Sequence, residues 1–193
     1  MKSITVYCGS SAGTDPIYIN EAFRLGVYLA EEGIELIYGG AKVGLMGAVA
    51  DGALSAKGQV TGVIPGFLKT SELAHEGLTR QIEVETMHER KLKMNELADG
   101  IIALPGGFGT MEEYFEMLTW GQLGLHKKPV GLLNTNGFYD SLIRMADEMV
   151  SAGFLKPGNR DLMLSGTEIA GLISSMKHYE PPLITKWIKA EEA

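Results

Sequence analysis

The chain has 193 residues, 45% of them hydrophobic and 21% charged, with 17 Lys and Arg against 24 Asp and Glu for a net charge of −7. This length suits one domain, residues 1–193, with a full core, and this composition excludes a disordered chain. An acidic chain without a Lys/Arg run matches neither a nucleic-acid backbone nor an anionic membrane surface, and no stretch approaches the ~18 apolar residues of a membrane span.

Residues 4–8, Ile-Thr-Val-Tyr-Cys, are an expected strand that runs into Gly9-Ser10-Ser11. A helix follows over 16–32, with Pro16 in its first turn, Thr14 or Asp15 as cap and Gly33 as stop. Residues 35–38 are the next strand, ending at Gly39-Gly40. A small-residue helix over 45–57 stops at Gly58. Strand 59–64 ends at Pro65-Gly66, residues 66–80 are irregular, and 81–84 is a short strand. Residues 87–98 are helical. The apolar strand 100–104 breaks at Pro105-Gly106-Gly107 and precedes a helix over 111–123. A strand over 129–133 and a helix over 139–152 complete the pattern, and residues 180–193 are an expected arm or short helix beyond Pro181-Pro182.

Strand–helix alternation of this kind implies an α/β fold: a Rossmann-like, doubly wound parallel sheet in three α/β/α layers. The near-continuous apolar strands agree, because a parallel strand is covered on both faces. Ligands of such sheets lie beyond the carboxyl ends of the strands. The chain carries 25 glycines, well above the usual ~7%. Three expected strands end in glycine, so the surplus falls where a ligand would lie.

Pro105-Gly106-Gly107-Phe108-Gly109-Thr110 stands between a buried strand and a helix. Glycines there let backbone N–H groups approach an anion, and the helix end adds unpaired donors and a positive dipole. The loop is therefore a candidate phosphate cradle, against the plainer reading of a tight turn. It is not a Walker loop, and the third glycine of a dinucleotide fingerprint is missing. Gly44-Leu45-Met46-Gly47 is a second glycine-rich turn, open to either helix–sheet packing or ligand contact. Thr110-x-x-Glu113 and Thr86-x-x-Glu89 both match a capping box. Glu113 thus has two readings, a bond back to Thr110 or a carboxylate beside the cradle. Arg90 and Lys91 sit at a helix start, where cations oppose the dipole; they are either a solvated pair or receptors for phosphate.

The four histidines lack metal-ligand spacing, so no metal is expected. Cys8 ends a buried strand and reads as core, not nucleophile. It is the only cysteine, so no internal disulfide forms, and the first residues lack the length of a signal peptide. The expected setting is the cytoplasm. Met111, Tyr114, Phe115 and Leu118 lie at helical spacing and read as core or as an interface face.

Met87-His88-Glu89-Arg90-Lys91 followed by Pro105-Gly106-Gly107-Phe108-Gly109-Thr110-Met111-Glu112-Glu113 resembles the LONELY GUY (LOG) family of cytokinin riboside 5′-monophosphate phosphoribohydrolases, often misnamed lysine decarboxylases. Tyr38-Gly39-Gly40 with Gly44-Leu45-Met46-Gly47, Leu118-Thr119-Trp120 and His126-Lys127-Lys128-Pro129-Val130-Gly131 extend the likeness along most of the chain. The resemblance implies hydrolysis of an N-glycosidic bond in a nucleoside 5′-monophosphate, cytokinin-type or AMP, with no cofactor. It places the essential pair on Arg90 and Glu113, the phosphate loop on Gly106, Gly107, Phe108, Gly109 and Thr110, and further nucleotide contacts on Glu72, Lys91 and Thr119. It also implies a homodimer with the site near the subunit interface. Phe108 stands where plant members often have Tyr. A non-catalytic nucleotide-binding module would use the same cradle. A pyridoxal phosphate decarboxylase would need a buried lysine for a Schiff base, and none is singled out.

Overall fold

The computed structural model describes residues 1–69 and 74–182. The expected strand–helix order is present. Strands β1 (Ser3–Tyr7), β2 (Glu35–Tyr38), β3 (Val60–Pro65), β4 (Arg80–Val84), β5 (Gly100–Ala103), β6 (Val130–Leu133) and β7 (Met163–Gly166) form one sheet in the order β4-β3-β2-β1-β5-β6-β7. Every pairing is parallel. The helices are α1 (Pro16–Glu31), α2 (Gly44–Ser55), α3 (Met87–Leu97), α4 (Phe108–Leu123), α5 (Asp140–Ser151), a single turn α6 (Pro157–Arg160) and α7 (Ile169–Lys177).

Alternation along β1 divides the core. Ile4 and Val6 point to one face, where they meet Leu25 and Leu29 of α1, Val49 of α2 and Leu172 of α7. Tyr7 points to the other, with Met94 of α3, Tyr114 and Met117 of α4 and Ala146 of α5. Each face of the sheet is thus covered by helices, giving the three-layer Rossmann-like architecture. Thr5 is completely buried in β1, and its hydroxyl donates to the Met94 carbonyl at 2.9 Å. That bond satisfies a polar group that would otherwise cost about 1–3 kcal/mol to bury.

Helix ends follow the local chemistry. Asp15 caps α1, accepting from the Ile17 amide at 2.9 Å, and Pro16 takes the first helical position. Thr86 caps α3 through the Glu89 amide at 3.1 Å; Glu89 reaches back one residue further than a capping box would, to the Glu85 amide. Gly124, in the left-handed region, ends α4. Not every glycine serves a turn or a ligand. A Cβ on Gly26 would fall 2.1 Å from the Val49 carbonyl oxygen, and one on Gly52 equally close to that of Phe23, so these glycines let α1 and α2 touch backbone to backbone.

Three readings are corrected. The helix expected over 111–123 begins at Phe108. Residues beyond 152 hold three elements that sequence patterning did not reveal, α6, β7 and α7. Of the apolar stripe on α4, Tyr114 is buried, but Phe115 keeps 38% of its surface exposed. Most of the expected C-terminal arm lies outside the described residues.

Candidate active site

The chain lays down β1 to β4 in one direction, then returns to place β5 on the opposite side of β1. The connections leaving β1 and β5 therefore diverge, and a crevice opens at their carboxyl ends. A cavity of about 340 Å³ occupies this position. Its wall combines Tyr7 to Ser10 after β1, Gly39 after β2, Met46 of α2, Met87 and Arg90 of α3, and Gly107 to Thr110 with Glu113 at the start of α4.

The glycine loop forms one side. Gly107 is the N-cap of α4, and no side chain caps this end. The first amides of a helix have no acceptor within it, so they face the cavity as anion donors with the helix dipole behind them. The capping-box reading of Thr110 and Glu113 is overturned. Thr110 lies within the first turn and is buried, so its hydroxyl is not at the cap position. A Cβ on Gly106 would meet Thr110 Oγ1 at 2.1 Å, whereas Cβ atoms on Gly107 and Gly109 would meet nothing within 4 Å. Protein packing explains the first glycine and leaves the other two facing open space. Phe108 between them is 97% exposed.

The acid and the cation meet beyond the first turn of the same helix. Glu113 projects from α4 and Arg90 from α3, with Nη1 and Oε1 3.5 Å apart. Arg90 and Glu113 are each 9% exposed and Lys91 6%, so neither half of the proposed solvated Arg90–Lys91 pair is solvated. Arg90 is anchored by its Nε–H, which donates to the Val63 carbonyl at 3.2 Å. Burial pushes the Glu113 carboxyl up to about 7. Arg90 opposes that rise, Glu112 adds to it, Lys91 opposes it and Glu116 adds to it. Tyr7 and Cys8 also face the carboxylate, and burial holds both well above their ordinary values.

Lys91 points elsewhere. Its ammonium lies 2.5 Å from Glu112 and 3.0 Å from Glu116, off the cavity wall. Burial lowers its pKa, but the hydrogen bonds it donates to the two carboxylates outweigh this and leave it raised. Thr119 is exposed, donates to the Phe115 carbonyl at 2.7 Å, and stands about 16 Å along the helix axis from Phe108. Glu72 lies outside the described residues. The structure thus brings together Arg90, Glu113 and residues 107–110, and keeps Lys91 and Thr119 apart from them. Sequence reasoning did not single out Ser10, Met46, Met87 or the Val63 carbonyl; the glycine-terminated strands were the signal for the first.

In the second glycine-rich turn the two glycines serve packing, while Met46 between them lines the cavity. Gly44 has a φ of +56° and lies against the Ser10 backbone, and a Cβ on Gly47 would strike the Lys42 carbonyl. His126 bonds to the Met117 carbonyl and the Lys128 amide, and His75 pairs with Asp51. Among the described residues, no group of three or more His, Cys, Asp or Glu is arranged to hold a metal ion, and no helix is long and apolar enough to cross a membrane. A second recess, about 260 Å³, lies at the far end of α4 among Met117, His126, Tyr179 and Pro182, and its lining among the described residues includes no acid.

Fold and site define a Rossmann-like α/β protein with a buried Arg–Glu pair beneath an uncapped helix N-terminus. Residues 46–176 match the family model described as "Possible lysine decarboxylase", and the chain belongs to that family, the LONELY GUY family. It is 45% identical over 180 residues to cytokinin riboside 5′-monophosphate phosphoribohydrolase LOG7 of Arabidopsis thaliana, spanning 93% of this chain and 83% of that protein. It is 44% identical to cytokinin riboside 5′-monophosphate phosphoribohydrolase LOG of Oryza sativa, spanning 93% and 74%. Among solved structures, the molybdenum cofactor carrier protein of Chlamydomonas reinhardtii matches with a TM-score of 0.67 at 25% identity, covering 92% of this chain and 96% of that one. The molybdenum cofactor binding protein of Rippkaea orientalis matches with a TM-score of 0.70 at 24% identity, covering 92% and 97%, which shows the shared fold.

Proposed function

We propose that this chain hydrolyses the N-glycosidic bond of cytokinin riboside 5′-monophosphates, and of AMP, releasing free base and ribose 5-phosphate. The observation that carries the proposal is the Arg90–Glu113 pair, 3.5 Å apart, in the cavity under the uncapped end of α4. The names of the curated relatives support it.

In this reading the amides of residues 107–110 hold the 5′-phosphate, and binding far from the reacting bond supplies positioning energy. Glycosidic cleavage builds positive charge at ribose C1′. The ionised Glu113 carboxylate stabilises that charge and takes a proton from water, as carboxylates do in glycoside hydrolysis. The water oxygen bonds to C1′, the electrons of the C1′–N bond leave with the base, and the base takes up a proton. A carboxyl titrating near 7 exchanges protons readily at neutral pH. Arg90 holds the carboxylate in place and offers its remaining N–H groups to substrate oxygens. Thr119 and Glu72 are proposed nucleotide contacts of a homodimer, in which a second copy completes the site edge, whereas Lys91 is assigned to the two carboxylates of α4. Exposed Phe108 at the site, with exposed Phe115 on α4 and Leu92 on α3, supports that assembly. A cytoplasmic setting belongs to the same proposal.

A second reading, a carrier that binds and does not hydrolyse, is favoured by the likeness to the cofactor carrier protein. Anion binding alone does not require a buried acid beside the cation, which supports the hydrolase. A pyridoxal phosphate decarboxylase does not match these residues. The buried lysine among the described residues, Lys91, is held as an ammonium between two carboxylates, whereas a Schiff base needs the free amine.

Product analysis with isopentenyladenosine monophosphate, AMP and the unphosphorylated riboside tests the proposal. Free base and ribose 5-phosphate from the monophosphates alone, lost in Glu113→Gln, are expected. Tight nucleotide binding with no base released would establish the carrier instead.

A further inference from the structure

Arg90 reaches from α3 to the carboxyl ends of β2 and β3, and its path is narrow. Val63 of β3 holds its Nε, and Met46 of α2 and Gly39 after β2 flank the guanidinium. A Cβ built on Gly39 would fall 1.8 Å from Arg90 Nη2, 2.4 Å from Met46 Cε and 3.0 Å from Arg90 Cζ. No backbone atom is among these three nearest neighbours. Gly39 also lies outside the left-handed region, in contrast to its neighbour Gly40 at a φ of +76°. The backbone therefore does not require glycine at 39. What a side chain there would displace is the tip of Arg90.

We propose that Gly39 is a positioning residue: its missing side chain forms the slot that sets the Arg90 guanidinium against Glu113. This deepens the hydrolase reading and rests on it for its effect on rate. The placement itself is independent of the reaction. A methyl group cannot coexist with Nη2 at 1.8 Å, and the Val63 bond prevents the whole side chain from retreating together. The guanidinium must swing away from the slot by about an ångström or more, because non-bonded heavy atoms settle near 3.5–4.0 Å. Misplacement on that scale costs up to about a hundred-fold in rate where a group is used in the reaction. The clash involves only flexible side-chain ends, so the fold should tolerate Gly39→Ala.

The experiment is a cycle of wild type, Gly39→Ala, Arg90→Ala and the double variant, each followed in two ways. In hydrolysis of the preferred nucleoside monophosphate, Gly39→Ala should lose about ten-fold or more in kcat/KM. In the Arg90→Ala background the same change should cost less than about two-fold, since its target is gone. An equal loss in both backgrounds would overturn the proposal. Carboxyl titration by carbon NMR, with the Glu113 resonance identified by its absence in Glu113→Gln, gives a readout that needs no catalysis. Arg90 holds the Glu113 carboxyl down against burial, so Gly39→Ala should move its titration to higher pH, towards that of Arg90→Ala, and the double variant should move it no further. An unmoved titration in a folded Gly39→Ala protein would refute the slot even if the chain is a carrier. Loss of the hydrolase reading alone would leave the titration result standing.

Discussion

Glu113 poses a contest between burial and a neighbouring cation, and replacing it with glutamine measures the winner. The glutamine side chain keeps the shape of the protonated acid and cannot ionise. The Glu113 carboxyl titrates near 7 in the folded protein, against 4.5 for an ordinary glutamate. Between those values the folded protein holds a proton that the unfolded chain has released. Stability therefore falls as pH rises through this window, and is flat below and above it. The window spans about 2.5 pH units at about 1.4 kcal/mol each, so wild type should lose about 3 kcal/mol relative to Glu113→Gln between pH 4.5 and 8. The assay is urea unfolding of both proteins at half-unit pH steps. With a denaturant slope of about 2 kcal/mol/M, the separation of the two midpoints should change by about 1.5 M. A wild type that gains on the variant as pH rises would show that the Arg90 charge outweighs burial. A constant difference would show an ordinary carboxyl.

Two other outcomes are expected. Lys91→Met should cost about 2 kcal/mol in stability, because it leaves the Glu116 carboxylate buried without its cation, while nucleotide affinity in calorimetry changes less than about three-fold; the reverse pattern would return Lys91 to the nucleotide. Gly109→Ala should unfold at the same urea concentration or a higher one, since its Cβ meets nothing in the protein and alanine favours a helix, yet AMP should bind about ten-fold more weakly as the methyl group crowds the phosphate; unchanged affinity would show that the cradle is not used.

Much of the sheet was legible because parallel strands advertise themselves. Ile101-Ile102-Ala103 is apolar at every position, since both of its faces are covered, and glycine or proline marks its ends. β7 gave no such signal. Only Met163 and Leu164 are apolar, and Ser165 and Gly166 follow them on an edge strand with part of its surface in water, so the apolar run is too short to stand out. The start of α4 was misplaced for a local reason. Gly-Phe-Gly-Thr has the composition of a loop, and only the tertiary setting winds Phe108 and Gly109 into the first turn. Arg90 shows the larger gap. Spacing could put Arg90 and Lys91 on one helix, but not decide which faced the cavity. The Val63 carbonyl that holds Arg90 lies 27 residues away and the Gly39 slot more than 50, and only the sheet order brings them together. Lys91, next in sequence, turns about 100° around the helix and meets Glu112 and Glu116 of α4 instead of Glu113.

The return of the chain across β1 also governs how the protein is made. β1 pairs on one side with β2, about thirty residues on, and on the other with β5, where Ile4 lies against Gly100. A chain emerging from the ribosome can therefore lay β2, β3 and β4 outward while the opposite edge of its first strand stays bare. That strand is buried along its whole length in the finished protein, and it carries no proline or charge to deter a foreign strand. Until about the hundredth residue arrives, the seam that becomes the cavity is also the place where two nascent chains could join. Conditions that slow synthesis between residues 84 and 104 should then lower the yield of folded protein without altering the activity of the molecules that escape.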